Sequence, residues 1–212
     1  MSERYDVDAS AVLGENYEIT NIECSDYNPS IDGNITVTIT VNDVYGDAIS
    51  GESVTVTASE GTFAQLNGSD ITSASSVTGT TNSSGQFTLT YNCSVWGLIT
   101  FSANTTNTQI KVTGWKLMET KESAKVKVYA NESMIALSIQ DTFTLPANGD
   151  RTIATISSQY APKYQVTTNF HPVNKQMTAI DTAGAIVVYN NTSLTTAIAR
   201  VYVTYPLKAR MV

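Results

Sequence analysis

The chain has 212 residues, of which 42% are apolar and 15% charged, and a net charge of −7. This is room for one large β domain or two small ones with real cores; Thr, Ser and Asn are abundant and good helix formers are thin. No run of about 18 apolar residues exists, which excludes a helical membrane span, and Arg4 is the only base before Lys111, so the front half repels phosphates and is a poor nucleic-acid surface.

Residues 1–16 read as an N-terminal arm. Met1-Ser2-Glu3-Arg4-Tyr5-Asp6 is acidic and polar and lacks the basic and apolar segments of a secretory signal. A β-sandwich is expected over 17–105. Tyr17-Glu18-Ile19-Thr20-Asn21-Ile22-Glu23 is its first strand. Asn34-Ile35-Thr36-Val37-Thr38-Ile39-Thr40-Val41 is apolar at every second position, with threonine between. That period of two marks a strand with one buried and one wet face. Val54-Thr55-Val56-Thr57-Ala58 and Phe87-Thr88-Leu89-Thr90-Tyr91 use the same code. Turn signals fall between them, at Asp32-Gly33, Tyr45-Gly46-Asp47, Ser50-Gly51, Asn82-Ser83-Ser84-Gly85 and Trp96-Gly97. Cys24 and Cys93 end two of these strands, and a Greek-key arrangement would place them at opposite poles. Two free thiols are therefore expected, in keeping with assembly in a reducing compartment.

The stretch Val41-Asn42-Asp43-Val44-Tyr45-Gly46-Asp47-Ala48-Ile49-Ser50-Gly51-Glu52-Ser53-Val54-Thr55-Val56 resembles the signature of invasin/intimin-type bacterial Ig-like domains. That pattern is a strand, an Asp, a short Gly turn, an apolar residue, a Gly and a second strand. Ser59-Glu60-Gly61-Thr62-Phe63, Gly79 through Leu89, and Gly97-Leu98-Ile99-Thr100-Phe101-Ser102-Ala103 continue it. The resemblance implies an Ig-like sandwich of the kind used as a spacer or adhesion module. It says little about function, because fold does not set function. Such domains normally come in tandem on exported proteins, whereas this sequence holds one.

Residues 106–133 read as a connector, with Leu117-Met118-Glu119-Thr120-Lys121-Glu122 as a short helical turn. A second β unit is expected over 134–212. Its strands are Met134-Ile135-Ala136-Leu137-Ser138-Ile139, Arg151-Thr152-Ile153-Ala154-Thr155-Ile156, Gly184-Ala185-Ile186-Val187-Val188-Tyr189 and the run from Ala197 to Lys208. Three pieces, Ala161-Pro162-Lys163, Ala179-Ile180-Asp181 through Gly184-Ala185-Ile186, and Val203-Thr204-Tyr205-Pro206-Leu207, resemble the C-terminal head domains of tailed-virus fibre and baseplate proteins. That resemblance implies a small jelly-roll-like sandwich that trimerises about an axis. A small all-β unit leaves edges and apolar faces that a homotrimer would cover.

Residues for catalysis are few. His171 is the only histidine, and no serine lies in a nucleophile elbow. With two distant cysteines and one histidine there is no zinc set. Asp43 and Asp47 flank a Gly turn without matching a Ca²⁺ loop and read as turn caps. Asp141, Asp150 and Asp181 fit turns and strand ends rather than a glycosidase pair. No enzyme, metal or cofactor is expected. The aromatic residues Tyr160, Tyr164, Phe170, Tyr189, Tyr202 and Tyr205 crowd the rear unit. Being apolar with a polar tip, Tyr serves cores, subunit interfaces and receptor contacts alike. Trp96 and Trp115 are read as locks of the domain junction. Sequons begin at Asn34, Asn67, Asn82, Asn92, Asn104, Asn131, Asn190 and Asn191.

Taken together, the two resemblances imply an all-β virion structural protein, a tail-fibre, baseplate or capsid-surface protein of a tailed virus. The arm would dock to other virion proteins, the Ig-like unit would act as spacer, and a trimeric head would meet a host-surface glycan or protein. The alternatives are a module of a cell-surface adhesin and a capsid-stabilising decoration protein without a receptor.

Overall fold

The computed structural model describes residues 19–123, 125–171, 176–190 and 196–208. The predicted arm, 1–16, lies outside them, as do the side chains of Phe170 and His171. The chain divides between Val112 and Thr113 into two compact units, each all-β and antiparallel.

The first unit is an Ig-like β-sandwich. Its strands are β1 (Ile19–Cys24), β2 (Asn34–Asn42), β3 (Ser53–Ala58), β4 (Thr62–Leu66), β5 (Ser69–Ala74), β6 (Ser76–Thr80), β7 (Gln86–Asn92), β8 (Gly97–Ala103) and β9 (Thr106–Val112). One sheet runs β1-β2-β7-β4-β5, the other β6-β3-β8-β9. The alternation of β2 becomes literal: Ile35, Val37, Ile39 and Val41 are buried while the residues between face outward. Between the sheets, Phe63, Tyr91 and Phe101 form an aromatic knot, with Tyr91 and Phe101 edge-to-face at 4.9 Å between centroids. Such packing adds about 0.5–1.5 kcal/mol per pair to area burial. On the wet faces Thr55 and Thr78 join hydroxyls at 2.8 Å, Gln86 donates to Thr40 at 3.0 Å, and Gln109 donates to Thr100 at 3.0 Å. These cross-strand pairs hold register at a few tenths of a kcal/mol, on the order of 0.2–1 each.

Both cysteines are free and buried, but not at opposite poles as the sequence suggested. Cys24 pairs with Val37, and the Cys93 N–H donates to Gly33 O beside the start of β2. They share one end of a sheet, Cys24 as the last residue of β1 and Cys93 just after β7, the two strands flanking β2. Two strand spacings of about 4.8 Å each separate them laterally, already beyond the roughly 7 Å Cα limit of a disulfide.

The second unit contains β10 (Lys116–Lys121), β11 (Val126–Ala130), β12 (Met134–Thr144), β13 (Gly149–Thr155), β14 (Val166–His171), β15 (Gln176–Ile180), β16 (Ala185–Asn190) and β17 (Thr196–Pro206). Its two four-stranded sheets run β10-β11-β12-β17 and β13-β16-β15-β14. The second order is a Greek key: a β14-β15-β16 meander with β13 returning beside β16. The stretch 106–133, expected as a connector, is instead divided between the units. β9 pairs along its length with β8, while β10 and β11 form a hairpin that continues into β12. The expected helical turn at 117–122 is largely β10, because its Leu117, Glu119 and Lys121 find cross-strand partners that outweigh local propensity.

Candidate functional site

Asp43, weighed with Asp47 as a metal ligand, and Asp181, weighed as a catalytic acid, bond backbone N–H groups, as does the turn residue Asn82. Asp43 Oδ1 accepts the N–H groups of Tyr45 and Asp47, both at 2.9 Å, and Gly46 N–H returns to Asp43 O at 3.1 Å. Asn82 repeats the device, with Oδ1 accepting from Ser84 at 2.8 Å and Gln86 at 3.1 Å. Asp181 repeats it in the second unit, accepting from Ala183 at 2.9 Å and Ala185 at 2.8 Å. In each case an Asx caps its own turn and a Gly three residues later takes positive φ: 89° at Gly46, 69° at Gly85 and 92° at Gly184. At Gly85 and Gly184 a Cβ would also lie 2.5 Å from Val41 O and 2.4 Å from Ile156 O. Asp6 and Asp8 lie outside the described residues. Among the described residues no three His, Cys, Asp or Glu converge.

The aromatic set separates into two groups. Tyr160 and Tyr205 are buried, and the Tyr205 hydroxyl donates to the Tyr160 carbonyl at 2.8 Å. Burial raises the Tyr205 phenol above its ordinary value. These two pack in the interior of the second unit; composition could not distinguish them from exposed tyrosines. Tyr164 and Tyr202 are exposed, at 73% and 68%. Tyr164 follows β13 in a loop where Lys163 Nζ stands 5.5 Å from its ring, and Tyr202 lies on β17 opposite Ser138. Tyr189 is half-buried in β16, between Asp150 and Met177.

One polar cluster was missed in the sequence because its members are 38 residues apart. Glu119 accepts from Ser157 N–H and from Ser157 Oγ, each at 3.0 Å, and meets Lys121 Nζ at 2.6 Å. Partial burial of Glu119 opposes ionisation, but the bonds from Lys121 and Ser157 outweigh it and lower the carboxyl below its ordinary value. The cluster ties β10 to the segment after β13. Trp96 packs on the first unit's core, and Trp115 is 43% exposed. Several sequon asparagines are structural: Asn190 is buried and donates to Pro146 O at 2.9 Å, and Asn67 accepts Thr88 N–H at 2.9 Å.

No protein-family model matches the chain, and no curated protein matches it. Among solved structures it is similar to domains 4 and 5 of the S-layer protein SbsC, at 20% identity over 45% of this chain and 51% of that one, with a TM-score of 0.28. It is also similar to the Yersinia pseudotuberculosis adhesin InvE, at 13% identity over 90% of this chain and 59% of that one, TM-score 0.37. The D0-D1 domain of Intimin is 16% identical over 90% of this chain and 98% of that one, TM-score 0.33. The chain thus spans 51% and 59% of the first two. At such scores these likenesses carry no weight for function.

Proposed function

We propose that this chain is a non-enzymatic structural and attachment protein of an outer surface, a tail-fibre, baseplate or capsid-surface protein of a tailed virus. The observation that carries the reading is how its polar groups are spent. The Asx side chains cap turns and Glu119 ties two segments together, and large exposed aromatics stand on both units, Tyr27 and Tyr45 on the first and Trp115, Tyr164 and Tyr202 on the second. The first unit, with hydroxyl-paired wet faces and a dry aromatic core, is the spacer. The second is the head, trimeric and offering Tyr164 and Tyr202 to a glycan or protein through many weak contacts summed by multivalency. A module of a cell-surface adhesin is the second reading, favoured by the invasin/intimin-like run from Val41 to Ala103.

Antibody labelling of purified particles and of cell envelopes tests the reading. Label on particles, with loss of host binding in a Tyr164→Ala/Tyr202→Ala variant, is expected. Label on particles with host binding intact moves the chain to a decoration role, and label on envelopes alone moves it to the adhesin. Light scattering is expected to give about 68 kDa, three times the 22.8 kDa chain.

A further inference from the structure

Among the described residues, β17 is the sheet edge without the usual protections. Antiparallel edges are blunted by bulges, shortness or neighbouring cover. β10, β13 and β14 carry register shifts. β5 and β6 are short and polar. β1 and β9 close on one another, with Thr106 Oγ1 donating to Thr20 O at 2.7 Å. β17 is 11 residues long and pairs with β12 at every position without a shift. Among the described residues no strand forms a ladder on its other side; β14 approaches it without one.

The polarity of that open side follows from the register. Leu207 N–H donates to Ser133 O at 2.9 Å, which turns Leu207 toward β12. By alternation Tyr205, Val203 and Val201 also bond inward, so Thr204, Tyr202, Arg200 and Ile198 turn their N–H and C=O groups outward. Pro206 falls in the same outward set, at one end only. Among the described residues, an added strand would thus find about nine residues of backbone without a ladder partner.

The sequence outside the described residues contains a segment suited to it. Tyr5-Asp6-Val7-Asp8-Ala9-Ser10-Ala11-Val12-Leu13 is apolar at residues 5, 7, 9, 11 and 13 and polar at 6, 8 and 10, with Val12 the one apolar residue on the second face, close to the period of a strand with one buried face. Laid against β17, its apolar side continues the inward row of Val201, Val203 and Tyr205, and its polar side joins Tyr202 and Thr204. Charge agrees as well. Residues 1–18 hold five acids and one base, whereas 196–208 hold Arg200 and Lys208 and no acid.

We infer that residues 5–13 of one copy add to the β17 edge of a second copy as an antiparallel or parallel strand. The contact is heterologous: strand and edge are different surfaces, so repeated addition closes a ring or extends a filament. The inference extends the self-association in the proposed function and is independent of whether the particle is a virion.

Complementation of two defective chains tests it. Deleting residues 1–16 removes the strand and keeps the edge. Thr204→Pro removes an outward N–H while keeping the β12 ladder. Each variant alone is expected to be monomeric by light scattering, and their equimolar mixture to form a 1:1 heterodimer. Hydrogen exchange at Tyr202 and Thr204 should slow by at least tenfold in the wild-type assembly and in the mixture. Val7→Asp, checked for unchanged far-UV circular dichroism and melting, should also give a monomer and covers the case in which Thr204→Pro fails to fold. Three results overturn the inference: assembly undiminished by the deletion or by Val7→Asp, a mixture that stays monomeric with both variants folded, or a wild-type monomer, whether the Tyr202 amide is unprotected or already protected within one chain. A trimer unaffected by these changes overturns this inference and leaves the proposed function standing.

Discussion

The two units solve the same problem with different cores. In the first, burial alternates residue by residue and the interior centres on Phe63, Tyr91 and Phe101. In the second, consecutive residues are buried, as at Ile135-Ala136-Leu137 in β12 and Thr178-Ala179-Ile180 in β15, and the link across its interior is the Tyr205–Tyr160 hydrogen bond. A one-sided sheet writes its geometry into the sequence, whereas a strand covered on both faces reads only as apolar. Yet both units use one turn, Asx with a Gly three residues on.

The largest expected difference lies in the aromatic knot. Phe101→Ala should cost about 3–5 kcal/mol by equilibrium unfolding of the first unit, because Phe101 touches both other rings. A cost below about 1 kcal/mol would mean that the knot does not organise this core. The shared turn comes next. Gly85→Ala and Gly184→Ala should each cost about 1–3 kcal/mol, since a Cβ meets a backbone carbonyl at positive φ in both; a large loss in only one unit would break the equivalence.

Tyr205→Phe should destabilise the second unit by about 1–3 kcal/mol, leaving the buried Tyr160 carbonyl without its donor. The effect of alkali should separate the units further. Burial pushes the Cys24 and Cys93 thiols up to about 11, with Asp26 adding to the second. Burial likewise raises Tyr91, with smaller contributions from Cys93 and Glu60. The folded state favours the protonated forms, so the first unit's stability is full below the ordinary thiol value of 9.0 and declines as pH rises toward about 11. The second unit, with Tyr205, should begin to weaken only from the ordinary phenol value of 10.0. Unfolding titrations from pH 8 to 11 on wild type and on Cys24→Ala/Cys93→Ala check this, the double variant removing the earlier onset.

The smallest effect is acid-side and confined to the second unit. The Glu119 carboxyl is held low, so its contribution is present above the ordinary carboxylate value and fades as pH falls through the folded one. Glu119→Gln should flatten that part of the pH–stability curve and leave the first unit unchanged.

Much of the first unit was legible because period two, Gly turns and Asx caps are local. The alternation of β2, β3 and β7 named its core residues directly. The candidate site was legible only as a composition. The tyrosines of the rear unit could be counted, but whether Tyr205 turns inward and Tyr202 outward depends on the register of β17 against β12. The Glu119–Ser157 contact and the placement of β10 escaped for a similar reason: an edge strand gains its partners from distant segments.

The sequence by itself determined the β class, the turn chemistry and the alternating core of the first unit, since each follows from interactions a few residues apart. Tertiary structure alone decided where one unit ends and the next begins, that the two thiols share a sheet end across β2, and which tyrosines are buried. Those outcomes depend on pairing between segments tens of residues apart, where any one segment has several acceptable neighbours and only the packed whole selects among them.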